Sequence, residues 1–207
     1  MLKMPIAVLV SGGGTNLQAL IDAEKEGRLK SGKLSLVISS KEDAFALKRA
    51  ENAGIKTLCL PLKNFAERAD FEAVLQKALT ENQIGLVVLA GFMCILSESF
   101  TSRWEKRIIN VHPSLIPAFC GEGFFGLRVH KAALEKGVKL SGATVHYVNH
   151  IPDGGEIILQ KSVPVYKNDN PESLQKRVME KAEWIILPRA AEMVSKKLLK
   201  EAKGHEG

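Results

Sequence analysis

A chain of 207 residues, 45% hydrophobic and 25% charged, has ordinary globular usage and enough length to bury a substantial core. Its composition excludes disordered and fibrous classes, and no apolar segment approaches the length needed to span a membrane. The formal charge of +6 favours anionic ligands, but the lysines and arginines are scattered rather than gathered into a stripe that would read nucleic acid.

The first apolar run, IAVLV at residues 6–10, predicts a strand and is too short for a signal sequence. The glycine-rich turn SGGGTN follows it directly and opens a helix over residues 16–26. LSLVIS, a helix over 44–53, TLCL, a helix over 65–79 and LVVLA continue the alternation. Gly54 and Gly85 punctuate it. Short, continuously apolar runs alternating with amphipathic stretches predict βαβ units feeding a parallel sheet.

RIINVH, at residues 107–112, predicts the next strand, followed by a glycine-rich loop at 120–126 and a helix near 129–135. SGATVHYV and EIILQKSVPV, separated by the Asp153-Gly-Gly turn, predict an antiparallel extension of the sheet. A helix from Pro171 to about Lys200 closes the chain, with Asn170 as N-cap, Pro171 at N1 and Pro188 as a kink or break. Lys196, Lys197, Lys200 and Lys203 fall near its C-terminus, where the helix dipole accommodates cations without a further partner. The fold class expected is therefore α/β: an open, Rossmann-like, mostly parallel twisted sheet with helices on both faces and an antiparallel C-terminal extension. One domain over 1–207 is predicted, with no repeat, linker or second domain.

Three features carry chemistry. The turn through Gly13, Gly14, Thr15 and Asn16 stands where free amides and a helix dipole favour a phosphate or carboxylate. Leu17 replaces the third glycine of a dinucleotide fingerprint, and the lysine of a nucleotide P-loop is missing. A plain strand-to-helix turn capped by Thr15 is the alternative. Asn110 and His112, two residues apart at a strand end, share one face, so an amide and an imidazole can converge on one substrate atom. Asp153 is either the first residue of a turn or the carboxylate that would raise the His112 pKa and make it an acid. His146 is either that histidine's outer partner or a half-buried strand residue.

Ser114 has no nucleophile elbow, and Cys94 and Cys120 have no evident base nearby in sequence. The three cysteines, Cys59, Cys94 and Cys120, form no Cys-x-x-Cys pair and fit a reducing compartment. No His, Cys, Asp or Glu spacing suggests a metal site.

The motifs VLVSGGGTNLQALIDA, SSKEDAFALKRAENAGI, VVLAGFMCILSESF, NVHPSLIPAF and SGATVHYVNHIPDGGEIILQKSVPV resemble the phosphoribosylglycinamide formyltransferases, folate-dependent enzymes of purine biosynthesis. HPSLIP and DGGEIILQ are shared with other 10-formyltetrahydrofolate enzymes, and SGGGTNLQ after the first strand is the discriminating element. The resemblance implies a substrate phosphate on Gly13, Gly14, Thr15 and Asn16, with Glu183 on the same substrate. It implies a folate site with Arg68, a pteridine pocket along Met93, Cys94, Ile95 and Leu96, and a loop from Asn149 to Asp153 that reads the heterocycle. Asn110 would bind the formyl group, His112 would donate the proton, and Asp153 would keep that histidine charged. The N-terminal half, about 1–100, would seat phosphate and the C-terminal half, about 101–207, would hold folate and the catalytic groups.

The same resemblance implies 10-formyltetrahydrofolate as co-substrate; the protein is expected to be a cytoplasmic monomer or weak homodimer that uses no metal. Its partners would be small molecules, not nucleic acid or membrane. Two departures stand out: Cys94 replaces an arginine common in the family, and FCGEGFFGLRVH is longer than the usual loop. A formyltetrahydrofolate hydrolase is the alternative, though that family carries a further N-terminal domain where this catalytic body begins at residue 5.

Overall fold

The computed structural model describes residues 2–204. The elements, in chain order, begin with β1 (Met4–Val10), α1 (Thr15–Lys25), β2 (Gly32–Ser39), α2 (Phe45–Asn52) and β3 (Lys56–Cys59). There follow α3 (Arg68–Glu81), β4 (Leu86–Leu89), α4 (Glu98–Arg103), β5 (Ile108–His112) and α5 (Leu127–Lys136). The chain closes with β6 (Leu140–Tyr147), β7 (Ile157–Pro164), α6 (Pro171–Val178) and α7 (Trp184–Gly204).

The seven strands form one sheet in the order β3-β2-β1-β4-β5-β6-β7. Its first five members are parallel, whereas β6 and β7 return antiparallel. Strand order reverses between β1 and β4, and open α/β sheets bind ligands in the crevice beyond the carboxyl ends of such strands.

Continuous apolarity in β1 follows from burial on both faces. Ile6, Val8 and Val10 enter a core with α1, α2, α6 and α7, while Ala7 and Leu9 enter a second core with α3 and α4. Each fully buried Leu or Ile contributes roughly 1.5–3 kcal/mol, so the two cores hold the strand ends rigidly. That rigidity reaches the crevice. The Ser11 hydroxyl at the end of β1 bonds the Ser40 hydroxyl at 2.6 Å and accepts the Met93 amide at 3.0 Å.

Several boundaries differ from expectation. Phe65 lies before α3, after a short 3-10 turn at Leu62–Asn64, and packs edge-on against Phe71 at 5.5 Å. The six-residue α4 was not predicted; it is set by Ser97, whose hydroxyl caps it by accepting from the Phe100 amide at 3.2 Å. Asn170 does cap α6, in a capping box with Ser173. Pro188 does not break the final helix. It lies inside α7, buried, and the irregularity is a π-helical turn at Met179–Glu183, just before α7 begins.

Candidate active site

Gly14 occupies the N-cap of α1 with φ 72°, in the left-handed region, and no side chain caps the helix. Thr15 is thus the first helical residue and not the cap. A Cβ on Gly14 would stand 2.6 Å from the Ala46 Cβ, so α2 packs too closely for any other residue. Next to the loop, the Asn16 Nδ2 donates to the Glu183 carboxylate at 2.6 Å. The π turn projects Glu183 inward, and π-helical turns are often found at functional sites.

At the other end of the crevice, β5 ends in Asn110 and His112. The antiparallel register pairs Asn110 with His146 and His112 with Thr144, bringing β6 alongside. The Asn110 Nδ2 lies 3.2 Å from the His146 Nε2, while the His146 Nδ1 donates to the Tyr147 carbonyl at 2.8 Å. Asp153 bridges the two imidazoles, with Oδ2 at 3.3 Å from the His112 Nδ1 and Oδ1 at 3.4 Å from the His146 Nε2. It also accepts the Gly121 amide at 2.9 Å. The loop that presents Asp153 turns through its own φ of 55°, which Asp tolerates, and then passes Gly155, where a Cβ would collide with the Tyr147 carbonyl oxygen.

The His112 Nε2 faces the Phe119 carbonyl at 2.9 Å. Both ring nitrogens therefore face acceptors, an arrangement only the imidazolium satisfies completely. Burial nevertheless pulls the His112 pKa below the ordinary value; the Asp153 carboxylate and the Phe119 carbonyl oppose that without cancelling it. Asp153 thus acts on His112 in the expected direction, raising its pKa, but burial acts more strongly and the net shift is downward. Burial pushes the Asp153 carboxyl up, but the His146 contact, the His112 ring and the Gly121 amide outweigh it and hold its pKa low.

A cavity of about 710 Å³ joins the two ends. Thr15, Asn16 and Glu183 line one side, Asn110, His112 and Asp153 the other, with Gly121 to Gly126 over them. Met93, Cys94 and Ile95 supply an apolar wall that continues into a cleft of about 130 Å³ reaching Leu96 and Asn149.

A model of the formyl transferase family matches residues 4–191. The chain belongs to the formyl transferase family. It is 43% identical over 175 residues to the phosphoribosylglycinamide formyltransferase of Escherichia coli, covering 84% of this chain and 80% of that one. It is 42% identical over 193 residues to the trifunctional purine biosynthetic protein adenosine-3 of Gallus gallus, covering 93% of this chain but only 18% of that relative's length. The crystal structure of glycinamide ribonucleotide transformylase 1 from Symbiobacterium toebii superposes with a TM-score of 0.88 at 40% identity, covering 94% of this chain and 89% of that one.

Within this formyl transferase fold, three expected site residues, Gly13, Gly14 and Arg68, line neither cavity. Arg68 is exposed at the start of α3, but its charge reaches Cys94, whose thiol pKa burial and Glu72 push up and Arg68 partly restores. Glu72, not foreseen, is buried and takes the Ser97 amide at 2.6 Å, which fixes the end of the segment after β4. His130 was also missed. It is fully buried beside the cavity, neither ring nitrogen has a hydrogen-bond partner among the described residues, and burial with the nearby His112 lowers its pKa to about 4. A histidine inside an amphipathic helix carries no sequence signal for this.

Glu183 and His130 have opposite linkage to pH. Burial raises the Glu183 pKa to about 7, offset in part by Asn16, so its folded form takes up a proton before the unfolded chain does. That contribution is full below the unfolded value near 4.5 and is lost as pH rises through 7. His130 excludes the proton, so its contribution is full above 6.5 and is lost as pH falls toward 4. Each is worth on the order of 3 kcal/mol at full extent. Between pH 7 and 5, Glu183→Gln should lose stability more steeply than the parent and His130→Phe less steeply, measured by urea unfolding. Parallel profiles for all three proteins would refute both assignments.

Proposed function

We propose that the protein transfers the formyl group of 10-formyltetrahydrofolate to the amine of phosphoribosylglycinamide. The observation that carries this reading is the single cavity holding the amide-lined turn at Thr15 and Asn16 together with Asn110, His112 and Asp153. The names of the full-length relatives support the same chemistry.

In this reading the phosphate binds the amides from Gly13 to Asn16, and Glu183 accepts from the sugar. The folate heterocycle enters along Met93, Cys94, Ile95 and Leu96 toward Asn149, with Arg68 outside to meet its acidic tail. The substrate amine attacks the formyl carbon, and the carbonyl oxygen becomes an oxyanion. One side of the Asn110 amide nitrogen faces the His146 Nε2 at 3.2 Å, and the other N–H is left for that oxygen. The His112 Nε2 is the other donor once it leaves the Phe119 carbonyl. Developing negative charge restores what burial removes, so the imidazolium with its Asp153 contact becomes favoured as the transition state forms. Collapse of the tetrahedral intermediate expels the folate nitrogen, which gains one proton as the substrate nitrogen gives one up, and no covalent enzyme intermediate arises.

The chain acts as one formyltransferase domain, its first half seating the phosphate and its second half holding the reacting groups. A cytoplasmic location is consistent with three free cysteines. The test is to mix the protein with both substrates and follow folate absorbance: transfer requires both, hydrolysis would proceed with the folate alone, and a simple binder would give no change.

A further inference from the structure

Among the described residues no lysine or arginine lines the 710 Å³ cavity, whereas Glu122, Asp153 and Glu183 do. A phosphate dianion there needs positive potential from behind the turn. Arg49, on α2, is placed to supply it. Its Nε donates to the Gly13 carbonyl at 2.9 Å, its Nη1 donates to the Gln18 Oε1 at 3.0 Å, and its guanidinium lies 5.0 Å from the centre of the Phe45 ring. The preceding carbonyl, that of Gly12, is taken by the Ala46 amide of the same helix at 3.1 Å.

Two successive carbonyls of the turn are thus drawn to α2. In a trans peptide the N–H points opposite to the C=O, so fixing the Gly13 carbonyl on Arg49 turns the Gly14 N–H away from α2. Among the described residues the amides of Gly13 and Gly14 have no backbone acceptor of their own. We infer that Arg49 is a positioning residue for phosphate recognition, orienting the Gly13–Gly14 peptide and adding a fixed positive charge behind it.

This rests on the phosphate-bearing substrate proposed above and names the device that makes the turn selective for it. Arg49 touches no reacting atom, so its loss weakens binding of one substrate and spares the chemical step. A lysine keeps the charge but cannot bond Gly13 and Gln18 together in one plane.

The test is steady-state kinetics of Arg49→Gln and Arg49→Lys against the parent, with inorganic phosphate as a competing anion. Arg49→Gln should raise KM for the phosphorylated amine about tenfold or more. Its kcat, its KM for the formyl folate and its melting temperature should stay near the parent's. The inhibition constant of inorganic phosphate should rise in parallel, and Arg49→Lys should recover part of the loss. An unchanged KM for the phosphorylated amine would overturn the inference, as would a fall in melting temperature with both KM values raised together. A parent enzyme indifferent to inorganic phosphate and to the substrate's phosphate group would instead remove the phosphate seat itself, and the role of Arg49 with it.

Discussion

Asn110→Ala and His112→Ala should each lower kcat for formyl transfer by about a hundredfold or more, the usual cost of removing one donor to a developing oxyanion. In the proposed reaction the two donors act on the same atom from one strand face. Asn110 is held by His146, and His112 by Asp153 and Phe119, so neither can be replaced by a neighbour swinging in. The double variant should fall little further than either single one, since groups that act as a unit give non-additive losses. Because both residues meet charge that exists only in the transition state, KM values should move far less than kcat. Either variant turning over at the parent rate would exclude its residue from the chemistry.

Asp153→Asn should also reduce turnover by about a hundredfold, through a different route. The carboxylate is what opposes the loss of charge that burial imposes on His112. A neutral amide of the same shape can still accept the Gly121 N–H, so the loop stays in place while the imidazolium loses its counter-charge. The His112 pKa should fall further, which a proton NMR titration of the imidazole can follow beside the rate. Full activity in this variant, or a His112 titration unmoved by it, would show that Asp153 only shapes the loop.

Much of this was legible in the chain because the physics is local. Unbroken apolar runs between amphipathic stretches mean strands buried on both faces, and the observed parallel β1 to β5 follow from that pattern. Asn110 and His112 could be placed together because strand side chains alternate, whatever the rest of the fold does. Three glycines after the first strand marked the turn, and Gly14 there takes the left-handed conformation.

What escaped depends on long-range placement. The register that sets His146 opposite Asn110 exists only once β6 folds back on β5, and nothing in the spacing states it. The π turn that carries Glu183 inward reflects packing of the last two helices, so a proline five residues on was read as the break. The direction of the His112 shift needed the depth of its burial as well as the position of Asp153; the residues alone gave neither, and the family resemblance implied only the second. Arg49 is one of many scattered cations, and nothing in its spacing ties it to the turn at Gly13.

The most direct test of the whole account is the rate of formyl folate consumption by the unaltered protein, measured with phosphoribosylglycinamide, with the same amine lacking its phosphate, and with neither. A single cavity joining an anion seat to the Asn110, His112 and Asp153 set predicts rapid consumption with the first, a much higher KM for the second, and negligible loss of folate alone. Equal rates in all three mixtures would contradict it.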